Sequence, residues 1–388
     1  DLGELRHEGG VSPAWPISYP TLEPYYTRAD QLSQIHGERG IDPTEAPTSA
    51  PYPHPPPRHE PRIRELWGDL RHLEHRPFPL PLGLLRDEAR PEHSACIRCV
   101  ACDGFPCLLQ AKADAEVICL RPALENPNVE VLCDAFVERL ETRASRREVE
   151  GVVLRRGETT ELHRAHIVVG ACRAIDSAAL LLRSANQRHP NGPANGSGVV
   201  GRHYMCHKNS ASLALSKRPN PTVFQKALGI DNSHFGEEPG DTPLGHVQML
   251  DKSHATMLGA ELSCSTPGSG LAGMARRALD FWLTSEGLPD PSNRIVLTRD
   301  RVELRHSPND LGAARRLTAK LKALLAALGC KERPLPCSLY LRKKIPLAGV
   351  AQPCGTVRSG TKPTQSALGP FRRAHEVDNL YVVDGSFS

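Results

Sequence analysis

The sequence predicts an α/β protein, α+β in its overall make-up, on three observations. Short β-branched runs gather between positions 117 and 169 and return at the end as Leu380-Tyr381-Val382-Val383. The run Ile167-Val168-Val169 leads through a short loop into Asp176-Ser177-Ala178-Ala179-Leu180-Leu181-Leu182, which reads as a strand followed by a capped helix start. Farther on, Leu311, Ala314, Leu317, Leu321, Leu324, Leu325 and Leu328 fall on one face at helical spacing. A strand–loop–helix order belongs to sheets that bind ligands at the carboxyl ends of their strands. With 388 residues the chain has room for two or three domains of about 150 residues each, and for a core that needs neither disulfide nor metal.

Taken in order, the first stretch is loop-rich, with helices expected over 22–35 and 60–75. Thr21 serves as a cap for the first, beside Pro20 and Pro24 at its entrance. Between them Pro51-Tyr52-Pro53-His54-Pro55-Pro56-Pro57 favours extended polyproline geometry, which we read as a connection hugging the surface. Strands are expected at 117–120, 129–132, 149–154 and 167–169. Residues 206–345 are mixed and contain the long amphipathic helix, started by Ser307-Pro308-Asn309-Asp310 and stopped by Gly329. These shifts in texture divide the chain into 1–115, 116–205, 206–345 and 346–388.

Charge and composition narrow the function. Lys plus Arg number 48 against 44 Asp plus Glu, a net charge of +4, which is too small for a dedicated nucleic-acid binder or a polybasic membrane surface. No run approaches the roughly 18 apolar residues of a membrane span. Twelve Cys without a dense, even framework read as reduced thiols, which makes a cytoplasmic setting the default.

Several motifs lack the context that their chemistry needs. Gly196-Ser197-Gly198-Val199-Val200-Gly201 and Gly268-Ser269-Gly270-Leu271-Ala272-Gly273 both match G-x-G-x-x-G, but neither follows a strand, so both are expected to be turns. Cys96, Cys99, Cys102 and Cys107 approach the iron–sulfur run, yet the last gap is four residues and Pro106 precedes the final Cys. No second C-x-x-C unit lies nearby to complete a zinc site, and no metal is expected; an iron–sulfur or zinc module there is the alternative. His203 and His207 stand four apart without the Glu that metalloprotease chemistry requires, and read as core or loop histidines.

Other segments carry a resemblance. Cys354-Gly355-Thr356-Val357-Arg358, Arg373-Ala374-His375 and Asn379-Leu380-Tyr381-Val382-Val383-Asp384-Gly385-Ser386 are similar to the C-terminal signature of the glucose–methanol–choline (GMC) oxidoreductases. Val200-Gly201-Arg202-His203-Tyr204-Met205 and Asp280-Phe281-Trp282-Leu283 extend the likeness, most closely to the choline-dehydrogenase-like branch. The resemblance implies an FAD/NAD(P)-binding Rossmann-like domain, here incomplete and interrupted by a substrate domain with an antiparallel sheet. Residues 116–205 and 346–388 would then belong to the FAD-binding domain and 206–345 to the substrate domain. It implies FAD as cofactor, a small-molecule alcohol as substrate and hydride transfer to the flavin from the carbon bearing the hydroxyl. It places Val137 beside the adenine through its backbone, and Asp384 and Gly385 near the ribityl and pyrophosphate portion.

Departures from the family pattern carry expectations of their own. The opening strand, Gly-rich loop and helix of the family have no counterpart, so the chain is expected to be an internal fragment. Gln352 stands where the family has its catalytic His, which implies an impaired enzyme or a non-catalytic flavin-binding or partner-binding relative. Arg173 occupies a loop that is normally small, where it would crowd the cofactor.

Overall fold

A computed structural model describes residues 3–100, 102–236, 241–261, 268–299, 301–334 and 352–387. A hairpin of β1 (Leu5–His7) and β2 (Gly10–Ser12) precedes helix α1 (Tyr19–Leu32), which starts three residues before its expected position with Pro20 in the first turn. Strand β3 (Ile35–His36), helix α2 (Pro61–His72) and strands β4 (Pro77–Pro79) and β5 (Leu82–Gly83) follow, and β5 pairs back onto β3. Helix α2 begins on Pro61, where a missing N–H is no loss.

The expected strand at 117–120 is a helical turn instead, Glu116–Leu120, running into the short helix α3 (Arg121–Leu124); 129–132 is irregular. Leu120, Val129 and Val131 are exposed, so nothing supplies the cross-strand packing that favours β-branched residues in sheets. Regular strands begin with β6 (Ala135–Thr142), β7 (Val149–Arg156) and β8 (Thr159–Arg164), an antiparallel three-stranded sheet. The anticipated strand and helix then appear as β9 (Val168–Gly170) and α4 (Arg173–Arg183), with Asp176 in the first turn, where its charge suits the helix dipole.

The rest of the chain adds β10 (Lys208–Leu215), β11 (Leu228–Ile230), β12 (His246–Met249), α5 (Ala255–Glu261), α6 (Gly268–Ala275) and β13 (Ala278–Ser285). After these come β14 (Arg294–Thr298), β15 (Arg301–Arg305), α7 (Leu311–Ala327), β16 (Lys331–Pro334) and β17 (Leu380–Val382). The first Gly pattern is a turn as expected. The second is not: from Gly268 it forms α6.

Six strands build one antiparallel sheet in the order β16-β10-β13-β12-β11-β4. Its edge strand β4 is Pro-Phe-Pro, and proline is tolerated there because an edge leaves some N–H positions unpaired. Pleating sends alternate side chains to opposite faces. Val247 and Met249 of β12, with Leu279, Phe281 and Leu283 of β13, meet Ile63, Leu66 and Leu70 of α2 and Leu317, Leu321 and Leu325 of α7 in the main core. Helix α7 is turned slightly from its expected face, for Ala313 is buried and Leu311 exposed. Asp310, expected in the cap, has left-handed backbone and accepts the Gly9 N–H at 3.1 Å.

A second core gathers around α4 and the parallel pair of β9 and β17, with Leu380 opposite Val168. The mixed α/β class and the antiparallel sheet are therefore as the sequence predicts.

Candidate functional site

The carboxyl ends of β9 and β17 lie side by side, Val382 opposite Gly170. Asp384 follows β17 at once; one carboxylate oxygen accepts the Ser177 hydroxyl and the other accepts the Ser386 N–H at 2.9 Å. Ser177 Oγ in turn accepts the Cys172 N–H at 3.1 Å, so the loop after β9 and the turn after β17 are tied together. Val137, Val168, Gly170, Cys172, Ser177 and Val382 line a common apolar cavity of about 80 Å³. Val137 and the Asp384 turn are thus joined through Ser177. Gly385 is exposed, and a Cβ on it would stand 2.9 Å from the Pro353 carbonyl oxygen.

That contact brings in the Gly355-Thr356 segment. Cys354 exchanges backbone hydrogen bonds with Met205 at 2.9 and 3.0 Å, Thr356 accepts the Gly201 N–H at 2.7 Å, and Val357 donates to Ser386 at 2.7 Å. Gly355 has φ +85°, and a side chain there would collide with the His203 carbonyl at 2.1 Å. Burial pushes the Cys354 thiol up to about 12. His203 also has positive φ, and its Nδ1 is buried without a partner. Burial, then the Arg358 and Arg202 charges, lower its pKa to about 4, so the imidazole is neutral at physiological pH. Gln352, likewise at positive φ, is exposed beside Pro353; residues 335–351 lie outside the described residues.

The face of the six-stranded sheet opposite α2 and α7 is mixed: Leu213 and Leu215 pack against Leu258 of α5 and Leu271 of α6, and polar side chains gather farther along the strands. Register puts Asn209, Thr284 and His246 in one row, and Ala211, Trp282, Gln248 and Gly229 in the next. Thr284 Oγ1 donates to Asn209 at 3.0 Å, and His246 Nδ1 meets both Asp231 carboxylate oxygens at 2.7 and 2.8 Å. Burial opposes protonation of His246, but the Asp231 hydrogen bond and charge outweigh it, and its pKa is raised. A cavity of about 550 Å³ opens against Gln248, walled by Leu80, Leu84 and Phe224 with Asp103, Lys112 and Lys226 among its polar groups. Asp103 and Asp251 each accept the other's backbone N–H, at 3.0 and 2.5 Å, and Lys226 pairs with Asp103. Burial, with the Asp103 charge, pushes Asp251 up to about 6.

Two family models, both described as GMC oxidoreductase, match residues 81–209 and 284–388. The 6'''-hydroxyparomomycin C oxidase of Streptomyces lividus is 30% identical over the whole chain, which spans 70% of that protein. The chain belongs to the GMC oxidoreductase family. Paromamine 6'-oxidase of Streptomyces fradiae is 28% identical with 100% of this chain and 70% of that one covered, and the fructose dehydrogenase large subunit of Gluconobacter japonicus is 26% identical with 99% and 72% covered. The pyridoxine 4-oxidase structure from Mesorbium loti shares the fold at a TM-score of 0.54 and 19% identity, covering 91% of this chain and 66% of that chain.

These GMC relatives are named for aminoglycosides and a sugar, so the finer likeness to a choline-dehydrogenase branch is not what they display. FAD is the cofactor of the family. The residues at the ends of β9 and β17 fit such a group: Gly385 is open and free of a side chain, and the fully buried Ser386 Oγ has no partner. Arg173 is exposed at the start of α4 and is not in the wall of the apolar cavity. Among the described residues no three His, Cys, Asp or Glu could hold a metal, the ten cysteines are free thiols, and no helix is long and apolar enough to cross a membrane. Sequence reasoning missed the outer sheet face. Asp280-Phe281-Trp282-Leu283 carried a likeness alone, and the alternation in His246-Val247-Gln248-Met249 is too short to announce a strand.

Proposed function

We propose that this chain binds FAD along the carboxyl ends of β9 and β17 and acts on a hydroxyl of an amino-sugar-class substrate held on the outer sheet face. When bound, FAD supplies the acceptor for the hydride leaving the carbon that bears the hydroxyl. Val137 offers backbone to the adenine, while Asp384 and Gly385 flank the ribityl and pyrophosphate portion. The observation that carries the substrate class is the outer face itself. The Trp282 indole gives a flat apolar platform, and Asn209, Thr284, Gln248 and His246 surround it with hydrogen-bonding groups. Such a mixture suits a polyhydroxylated ring better than a simple alkyl alcohol. The names of the two Streptomyces relatives support it.

Gln352 orients a hydroxyl by hydrogen bonding but takes no proton near neutral pH. Proton removal is therefore slow, since a positioned general base typically contributes about 10²–10⁴-fold. A non-catalytic flavin-binding relative is the second reading, and Gln352 is the residue that favours it.

Anaerobic mixing of the FAD-supplied chain with paromamine, fructose and choline tests the proposal through flavin absorbance. Reduction by paromamine is expected, with choline weaker. Trp282→Ala should raise the paromamine concentration needed for half-maximal rate about tenfold or more, and Gln352→His should raise the limiting rate. Bound flavin that no amino sugar reduces, in the parent and in Gln352→His alike, would establish the non-catalytic reading. Preference for choline would overturn the substrate class.

A further inference from the structure

The loop after α4, the turn between β6 and β7 and the approach to β17 enclose a separate cavity of about 360 Å³. Its lining includes Arg146, Arg147, Arg188, His189, His375 and Glu376. Asp378 and Asn379 immediately precede β17, so this cavity lies at the amino end of that strand, the opposite end from Asp384.

Partners already present account for part of the charge. Arg147 is held by both Asp378 oxygens at 2.6 and 2.8 Å, and His375 Nε2 meets Ser366 Oγ at 3.0 Å. Arg188 donates one N–H to the Thr142 carbonyl at 2.7 Å and keeps the remaining donors of its guanidinium. The Arg146 N–H donates to the Arg143 carbonyl at 3.0 Å, left-handed backbone at φ 64° sets its place in the turn, and its guanidinium makes no hydrogen bond or ion pair among the described residues. Glu376 is the acid left on the wall.

His189 supplies the independent sign of a ligand. It is only 9% exposed, and its Nε2 is buried with no hydrogen-bond partner. A tight loop fixes it: Asn186 Oδ1 accepts the Arg188 and His189 N–H groups at 2.8 and 3.0 Å, and the His189 carbonyl accepts from Asn186 and Gly192 at 3.0 and 2.9 Å. Native proteins seldom leave such a buried polar atom unsatisfied, and an acceptor oxygen in the cavity would satisfy it.

We propose that this cavity binds a phosphate group, with Arg146 and Arg188 supplying charge and the His189 imidazole donating from Nε2. Three donor-bearing residues from two separate segments line one cavity, which suits a tetrahedral oxyanion, whose acceptors point in several directions, better than a planar carboxylate. Glu376 repels the anion and tunes the affinity downward. The volume accommodates a small phosphate monoester as well as the free ion.

Calorimetric titration of the whole chain with inorganic phosphate, and separately with glucose 6-phosphate, tests this at ionic strength fixed with chloride. Saturable binding is expected. Arg146→Gln and Arg188→Gln, both exposed substitutions, should each weaken it about tenfold, the effect of losing one charge-assisted contact. Glu376→Gln should tighten it, an outcome that a purely structural role for these arginines does not produce. Tighter binding of the monoester than of free phosphate would identify an organic phosphate as the ligand, and equal binding the free ion. No saturable heat with either probe, or unchanged binding in the Arg146→Gln, Arg188→Gln double variant, would overturn the proposal. None of these readouts depends on flavin or on turnover.

Discussion

Replacing Asp251 with Asn should stabilise the protein, and increasingly so as the pH rises. In the fold its carboxyl titrates at about 6 instead of 3.8, because burial and then the Asp103 charge oppose ionisation. A folded-state pKa raised above the unfolded value gives stability that is complete below the unfolded pKa and is lost as the pH climbs through the folded one. Each pKa unit is worth about 1.4 kcal/mol, so the ionised carboxylate costs the fold about 3 kcal/mol at most. About half of that is already present at pH 5 and nearly all of it at pH 8. Asp251 is only partly buried, so solvent screens the charge, and about 1–2 kcal/mol is the gain to expect at pH 8. Asn keeps an oxygen for the Asp103 N–H, and any fixed cost of burying the amide cancels between the two pH values. Urea denaturation of both proteins at pH 5 and pH 8 measures the difference. An Asn variant that gains no more at pH 8 than at pH 5 would refute the reasoning.

Two further outcomes follow from burial. Cys354 should escape iodoacetamide at pH 8 while the exposed Cys99, Cys133 and Cys172 react, because a thiol at about 12 is only about one part in 10⁴ thiolate there; mass spectrometry of the labelled peptides reads it. Leu66→Ala should cost about 2–5 kcal/mol in urea unfolding, since Leu66 is buried between α2 and the sheet and the cavity left behind cannot fully collapse.

The elements legible in the sequence are those whose pattern is long or whose ends are marked. Helix α7 shows its stripe over four turns, and β9 leading into α4 shows a strand, a small loop and an early acid. The Asp384 turn was readable from its motif, and its tie to Ser177 was not, because the two stand 207 positions apart. The same holds for Asp103 and Asp251, separated by 148 positions. The run at 117–120 misled because β-branched residues favour a sheet only where neighbours exist to pack against. Edge strand β4 was hidden for the opposite reason: Pro77 and Pro79 argue against a strand everywhere except at an edge, and a sequence does not announce where the edge is.

That edge strand also sets a timetable for folding. Phe78 pairs with Gly229, and Gly229 has room for no side chain because the Phe78 ring lies over it. The sheet border therefore closes a loop of about 150 residues, and contacts of such sequence separation form late and slowly. Helix α2 is caught in the same delay, because the strands that cover Ile63, Leu66 and Leu70 are synthesised long after them. During synthesis these side chains stay uncovered until β11, β12, β13 and finally α7 have emerged. The interval before α7 arrives is when the growing chain is most exposed to aggregation.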